Sequence, residues 1–475
     1  MTFYAAEQFD SDEEDILRRY FTNLDQPVFA LVNLPEVVKG ALFARYSRSA
    51  KSLRRLFLDE FVGELDISGD ETIDATVGLK RAEELYDLVF FEYGDDSVAQ
   101  LGGVHLACEQ ASNLLTKVLE WGRLMSYLEQ STRYISYNTR LDGRYRYYRD
   151  PEVMASPLAT RYIADMDYLF DTYSNLVETM REYFTNAVPK TESDSDFAYL
   201  QAIKAKALDS VRGVLPAASL SNVGIYGSGQ AYESLLLRMR SHPLPEAREY
   251  AEMILSELRK VIPSFLKRVD MPDRGQQTSD YMSDTRERLT DLSEHYFPRT
   301  KTPLPHPTVD LTDYDPDAEV KLIASSLYPH TDRSDRDVED RVRRMTTEER
   351  ITVLKALEGD RENRRHRPGR ALERPSYRFD ILADYGAFRD LQRHRMMTIE
   401  WQKLSPYHGF VSPDELQDAG TSSEFESAME RSMSLHDDLL EPFPEQASYA
   451  VSLAYRVRFL MHFNAREAMH MLELR

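Results

Sequence analysis

Apolar positions along this chain recur mostly at helical spacing. Between 104 and 128 they fall at Val104, Ala107, Cys108, Ala111, Leu114, Leu115, Val118, Leu119, Met125 and Leu128, which predicts one helix. The same period, edged by proline and glycine, predicts helices over 156–187, 245–268, 348–359 and 447–474. Strands are expected around 27–34 and 145–148. Between 270 and 317 the pattern breaks down: prolines 272, 298, 303, 305, 307 and 316 and Gly275 stand among few apolar residues, which reads as a linker or a long surface excursion.

At 475 residues, 42% of them hydrophobic, the chain is too long for one ordinary core and predicts two domains or two copies of one. It holds no apolar run of eighteen residues, and residues 1–15 are acidic and polar rather than basic and then apolar, so a cytoplasmic protein with no membrane contact is expected. Cys108 is the single cysteine. Internal disulfides are thereby excluded, cysteine-based zinc sites are disfavoured, and Cys108 itself reads as a small buried helical residue rather than a nucleophile.

A net charge of -21 argues against a nucleic-acid partner without excluding a nucleotide ligand. Only 13 of the 59 basic residues are lysine, and arginine's forked donors suit phosphate and planar groups. That excess reflects either a local positive pocket or genome composition. The arginine-dense run 361–374, which includes His366, is either a solvated loop or a phosphate-facing wall.

Two segments carry the chemistry. Ser126-Tyr-Leu-Glu129-Gln-Ser131-Thr-Arg133-Tyr134 lies in the first half, and Arg393-His394-Arg395 lies in the second. Added together they resemble the signature of the flavin-dependent thymidylate synthases, Arg-His-Arg-x-x-Ser-x-Asn-Glu-x-Ser-x-Arg-Tyr. The first segment matches at Arg123, Ser126, Glu129, Ser131, Arg133 and Tyr134 and departs at Trp121, Gly122 and Leu128. The second keeps the triplet and then decays, with Thr398 and Glu400 where serine and asparagine are expected.

The resemblance extends outward in both halves. Residues 93–98 resemble the family's Tyr-Gly-His-x-Ser-Val with Asp95 for histidine, residues 212–216 its Arg-x-x-Leu-Pro, and Leu237-Arg238, with Glu246 and Tyr250 beyond, its nucleotide-binding helix. Asn464-Ala465-Arg466 followed by His470 resembles its flavin-binding run, and Arg475 is the counterpart of Arg238. Ser448 stands where Arg212 stands in the first half, and nothing near Ser405 supplies an arginine and tyrosine. The family helix normally continues past the position of Arg475, so the second copy is expected to be cut short there.

What the resemblance implies is an α+β, predominantly helical chain holding two diverged copies of the thymidylate synthase fold: copy one over 1–268, a linker over 269–318 and copy two over 319–475. It implies dUMP binding by Ser126, Glu129, Ser131, Arg133, Arg212 and Arg238, catalysis by Arg238 and Arg475, and FAD binding by Ser97, Arg393, His394, Arg395, Asn464, Arg466 and His470. NADPH and methylenetetrahydrofolate are the implied co-substrates. Because the family builds its sites where subunits meet, the complementary losses imply one composite site and a homodimer that imitates the family tetramer. The alternatives are a transferase with another nucleotide or one-carbon donor, and a non-catalytic homologue that binds nucleotide or flavin and regulates a true synthase.

Overall fold

Among the described residues, eight strands form two antiparallel sheets of identical order. The first contains β1 (Val28–Leu31), β2 (Gly103–Ser112), β3 (Met125–Glu129) and β4 (Leu220–Ser228) in the order β1-β2-β4-β3. The second contains β5 (Val309–Tyr314), β6 (Ser376–Asp384), β7 (Thr398–Trp401) and β8 (Arg456–Asn464) in the order β5-β6-β8-β7. These elements come from a computed structural model that describes residues 4–34, 38, 39, 42, 43, 46, 49–60, 62, 103–191, 195–298 and 307–474. The motif at 93–98, with Ser97, and Arg475 lie outside the described residues.

The duplication reaches the register of individual residues. Ser126 pairs with Tyr226 in the first sheet and Thr398 with His462 in the second, steps of 272 and 236 positions. Ser112 with Leu220 and Asp384 with Arg456 repeat those steps. At the other end, Gly103 with Ser228 corresponds to Ser376 with Asn464, a step of 273 on the β2 side. The odd residue is absorbed by a β-bulge between Cys108 and Ala111, where Gln110 takes φ 56°.

The helices used below are α1 (Asn113–Leu119), α2 (Ala159–Ala187), α3 (Asp196–Val211), α4 (Gly229–Arg240), α5 (Pro245–Arg259), α6 (Gln277–Tyr296), α7 (Tyr385–Leu391), α8 (Ser422–Leu440) and α9 (Ala465–Leu474). Strand passes to helix through the same device in both copies. Ser112 Oγ accepts the Leu115 N–H at 3.0 Å to start α1, and Asp384 Oδ1 accepts the Ala387 N–H at 2.9 Å to start α7. Ser228 caps α4, and Asn464 Oδ1 accepts the Glu467 N–H at 2.9 Å at the start of α9.

Two compact units result, Met1–Thr302 with Ser405–Tyr455, and Pro303–Leu404 with Arg456–Arg475. Residues 405–455, which the sequence places in the second copy, belong to the first compact unit. There α8, with Phe425, Met429, Leu435 and Leu439 buried, packs against α2. Arg431 of α8 reaches the buried Asp165 carboxylate at 3.0 Å. The stretch 212–218 also pairs antiparallel with its own counterpart: Ala217 N–H donates to the Val451 carbonyl at 2.8 Å, and Leu453 N–H to that of Leu215 at 2.9 Å.

The strand expected around 27–34 is β1, and the helices expected over 156–187 and 348–359 are α2 and Thr347–Glu358. Other expectations are corrected. Residues 104–128 are β2, α1 and β3, not one helix. As a central strand β2 is covered on both faces, so its apolar run lacks the alternation that marks a half-buried strand. Residues 447–474 hold β8 and α9, and β8 does alternate, with Val457, Phe459, Met461 and Phe463 buried. Residues 145–148 make one isolated bridge, Tyr147 to Ser219. Pro263 ends the 245–268 helix early, leaving α5 and a short turn of helix at Pro263–Leu266. The expected linker contains α6 and β5. Among the described residues no helix is long and apolar enough to cross a membrane.

Candidate active-site residues

In the first unit the expected nucleotide residues gather in two places. At one, Asp209 on α3 joins Arg133 and Arg212: its Oδ1 lies 3.2 Å from Arg133 Nε and 3.1 Å from Arg212 Nε. Ser131 stands on the same turn, its Oγ accepting the Arg133 N–H at 3.3 Å. Arg133 and Asp209 are each nearly half exposed, so a dianion can compete for the guanidinium. The expectation named the two arginines but missed the carboxylate. Asp209 precedes Arg212 by three positions, a helical neighbour spacing that the sequence does display.

The other place is Arg238, near the end of α4. Its guanidinium carbon lies 5.4 Å from the centre of the Trp121 ring. Its Nε and Nη2 are buried with no hydrogen-bond partner among the described residues, and burial holds the group below its ordinary basicity. An uncompensated, desolvated cation is costly and is a mark of a functional site. Gly122 leaves room for the Tyr127 hydroxyl. A Cβ there would lie 2.6 Å from that hydroxyl and at an ordinary 3.7 Å from Arg238 Nη2. The first copy's Trp121, at the start of the cofactor triplet's position, thus lies against the nucleotide-side arginine.

Ser126 is exposed on β3 opposite Tyr226. Glu129 is not exposed: it is buried at 3% beside Lys117, whose Nζ lies 3.3 Å from it and 2.5 Å from Glu120. That places Glu129 in an ion cluster under the sheet. Cys108 is fully buried on β2, and burial pushes its thiol up, away from the thiolate a nucleophile needs.

The second unit opens a cleft of about 700 Å³ lined by Arg364, Arg365, Arg367, Asn464, Arg466 and His470, among others. Four of the expected flavin-side residues meet here. Asn464 both caps α9 and lines the cleft. Arg466 Nη1 is 2.5 Å from Glu373 Oε1. The His470 ring is packed edge-on against His394, with centroids 5.7 Å apart. His394 is 6% exposed; its Nδ1 faces Glu467 Oε1 at 3.2 Å, while its Nε2 is buried with no partner among the described residues. Of the rest of the triplet, Arg393 is half-buried and Arg395 is exposed outside the cleft lining. Glu467 went unpredicted, although it lies three positions before His470.

The sequence model described as thymidylate synthase complementing protein matches this chain twice, over residues 44–264 and 310–475. The chain belongs to that family. The double match agrees with the repeated sheet order and register. Among relatives, a UPF0159 protein of Chlamydia muridarum is 41% identical over 471 residues, covering 98% of this chain and 89% of the relative. One from Chlamydia pneumoniae is likewise 41% identical over 473 residues, with 99% and 89% covered. The UPF0159 protein Ta1429 of Thermoplasma acidophilum is 30% identical over 464 residues, with 92% and 88% covered. A solved UMP/dUMP methylase, PolB from Streptomyces cacaoi, overlaps 35% of this chain and 76% of its own at 19% identity and a TM-score of 0.27, a level that carries no structural argument.

For a thymidylate synthase complementing protein, the flavin is the cofactor to fit. The cleft volume lies within the usual range for ligand pockets, about 300 to 1,000 Å³. Its guanidinium donors suit a diphosphate, and His394, whose ring packs against the cleft-lining His470, has a buried Nε2 without a partner among the described residues. The residues present fit the group.

Proposed function

We propose that the chain converts dUMP to dTMP with methylenetetrahydrofolate as carbon donor, using FAD and taking reducing equivalents from NADPH. The observation that carries this reading is the division of cationic groups between two family copies: Arg238, Arg133 and Arg212 in the first unit, and the cleft lined by Arg466 and His470, with His394 packed against His470, in the second. Ser131, Arg133 and Arg212 hold the nucleotide phosphate. The nucleotide's arrival displaces Asp209 from its two arginines. Arg238 faces the pyrimidine edge and stabilises the negative charge that develops when C5 becomes nucleophilic, a contribution of about 3 kcal/mol for one preorganised donor. Ser126 is assigned to the nucleotide as well, and Glu129 acts by holding β3 through Lys117.

FAD supplies the hydride chemistry when bound, held by Asn464, Arg466, His470 and the triplet Arg393, His394 and Arg395, with Ser97 also assigned to it. Glu467 fixes the His394 ring so that Nε2 is presented to the cofactor. No protein nucleophile is used, in keeping with the buried Cys108. Each copy supplies what the other lacks, so one composite site draws nucleotide groups from copy one and flavin groups from copy two. A homodimer then carries two such sites, and Arg475 is assigned to the position that Arg238 holds in copy one.

The deciding experiment is rescue of a thymidine-requiring bacterium by the wild-type chain and by Arg133→Ala and Arg466→Ala separately. Wild-type rescue with loss in both variants is expected, and full rescue by either variant would sink the composite site. In parallel, dUMP titration is followed by Trp121 fluorescence in a Trp401→Phe background. A dUMP-dependent change that Arg238→Ala abolishes is expected. If dUMP binds but the wild type neither rescues growth nor shows a flavin absorbance band, the chain is a binding homologue instead.

A further inference from the structure

The cleft of the second unit holds more positive charge than its expected flavin residues explain. Four arginines and three glutamates line it. Every glutamate is already engaged: Glu373 by Arg370 and Arg466, Glu473 by Arg361, and Glu467 by His394. Arg466 is engaged through Nη1 by the same pairing. Arg364, Arg365 and Arg367 are exposed, and none has a carboxylate within ion-pair distance among the described residues. Three guanidinia therefore face one cleft whose glutamates are paired elsewhere, on a chain whose net charge is -21. In so acidic a protein carboxylates are plentiful, yet among the described residues none pairs with these three.

These arginines belong to the second copy alone. Gly103 and Ser376 occupy corresponding register positions in the two sheets, and the twenty residues before β2, 83–102, contain no lysine or arginine and six acidic residues. The fifteen residues before β6, 361–375, contain six arginines. The ordered part of that run explains its position. Arg361 Nε donates to the His366 carbonyl at 2.7 Å, and the Glu362 N–H donates to His366 Nδ1 at 3.2 Å, so the loop folds back on itself around the three free side chains.

We propose that Arg364, Arg365 and Arg367 form an anion clamp that takes the diphosphate of a dinucleotide entering this cleft. A guanidinium fork matches phosphate oxygens two at a time, and three forks on one loop can engage both phosphates of a diphosphate where a monophosphate would leave donors unused. The identity of the dinucleotide rests on the proposed function above. The clamp itself rests on the cleft. Flavin and nicotinamide dinucleotides share this chemistry, and the test separates them.

Calorimetry on the full chain uses FAD, FMN, NADPH and inorganic pyrophosphate as probes, with R364A/R365A/R367A as the variant and R364K/R365K/R367K as its charge-preserving partner. At about tenfold per charge-assisted contact, the alanine variant should bind FAD at least about 100-fold more weakly, FMN by a smaller factor, and pyrophosphate not measurably. The lysine variant should recover part of the affinity, which a misfolded loop would not. If NADPH alone is weakened, the clamp stands and serves the nicotinamide dinucleotide. If the wild type binds no FAD but binds pyrophosphate in a clamp-dependent way, the flavin reading fails and the clamp survives. Unchanged binding of all four probes in the alanine variant overturns the proposal.

Discussion

Tyr449→Phe isolates a buried carboxyl that the sequence resemblance assigns to the nucleotide helix. Glu246, at the start of α5, is fully buried in the first unit. Its Oε1 accepts the Ser112 N–H at 2.9 Å, and its Oε2 accepts the Ser112 hydroxyl at 2.6 Å and the Tyr449 hydroxyl at 2.7 Å. Burial pushes the carboxyl up from 4.5 to about 7, against three hydrogen bonds that favour the ionised form and with Asp150 adding to the rise. The unfolded chain titrates near 4.5, so between that pH and about 7 the folded state holds the extra proton. Stability from this group is thus fully present below about pH 4.5 and declines until about pH 7, by about 3 kcal/mol in all.

Removing the Tyr449 hydroxyl deletes one donor to Oε2. At about pH 5.5 Glu246 is mostly neutral in the folded state, and the loss is that of an ordinary hydrogen bond, about 1 kcal/mol. At about pH 8.5 the acceptor is a buried carboxylate and the loss rises to about 2 to 3 kcal/mol. The assay is urea unfolding at both pH values in a Trp401→Phe background, where Trp121 is the remaining tryptophan and reports the first unit alone. Equal losses at the two pH values would refute the assignment of the raised carboxyl to Glu246.

Three further outcomes follow from buried contacts. Lys117→Met removes the ammonium from Glu120 and Glu129 and should cost about 3 to 5 kcal/mol in the same assay, because two buried carboxylates lose their counter-charge. Gly275→Ala places a Cβ 2.0 Å from the Val269 carbonyl oxygen, a backbone atom, so the turn into α6 must move; a loss of about 2 kcal/mol or more is expected from the urea midpoint. Glu467→Ala leaves His394 with neither ring nitrogen partnered and should destabilise the second unit by about 1 to 3 kcal/mol, read from Trp401 fluorescence with Trp121 replaced by phenylalanine.

What the sequence made legible depended on how local each signal was. The family signature was legible in both halves because it consists of fixed residue types at fixed spacing, and α2 was legible because one face of a long helix repeats without interruption. β2 was not, since a strand covered on both faces shows the same apolar run as a buried helix. β8 carried its alternation openly in Val457, Phe459, Met461 and Phe463 but was masked by the apolar turn before it and α9 after it. Residues 405–455 could not be assigned to the first unit from sequence, because the pairing of 212–218 with 449–454 uses backbone groups that no side-chain pattern announces. Glu246 shows the same limit from the other side: the resemblance placed it beyond the nucleotide-binding helix, and its burial against Ser112 and Tyr449 was not legible there.

Retention of register through duplication constrains how the labour came to be divided. Had one copy lost its chemistry by unravelling, its strand pairs would have slipped, and a slip of one residue would turn every side chain on that strand to the other face. Yet Ser126 opposite Tyr226 and Thr398 opposite His462 occupy the same lattice position in the two sheets. The scaffold was held while side chains were exchanged on it. At Gly122 the first copy lacks the triplet's histidine, and the neighbouring Trp121 lies against Arg238. At the counterpart in the second copy, His394 fills that position and is held by Glu467 on α9. A side chain at position 122 would press on the Tyr127 hydroxyl, whose ring must then shift. The residues that distinguish the two halves of the signature thus sit in contacts particular to each copy.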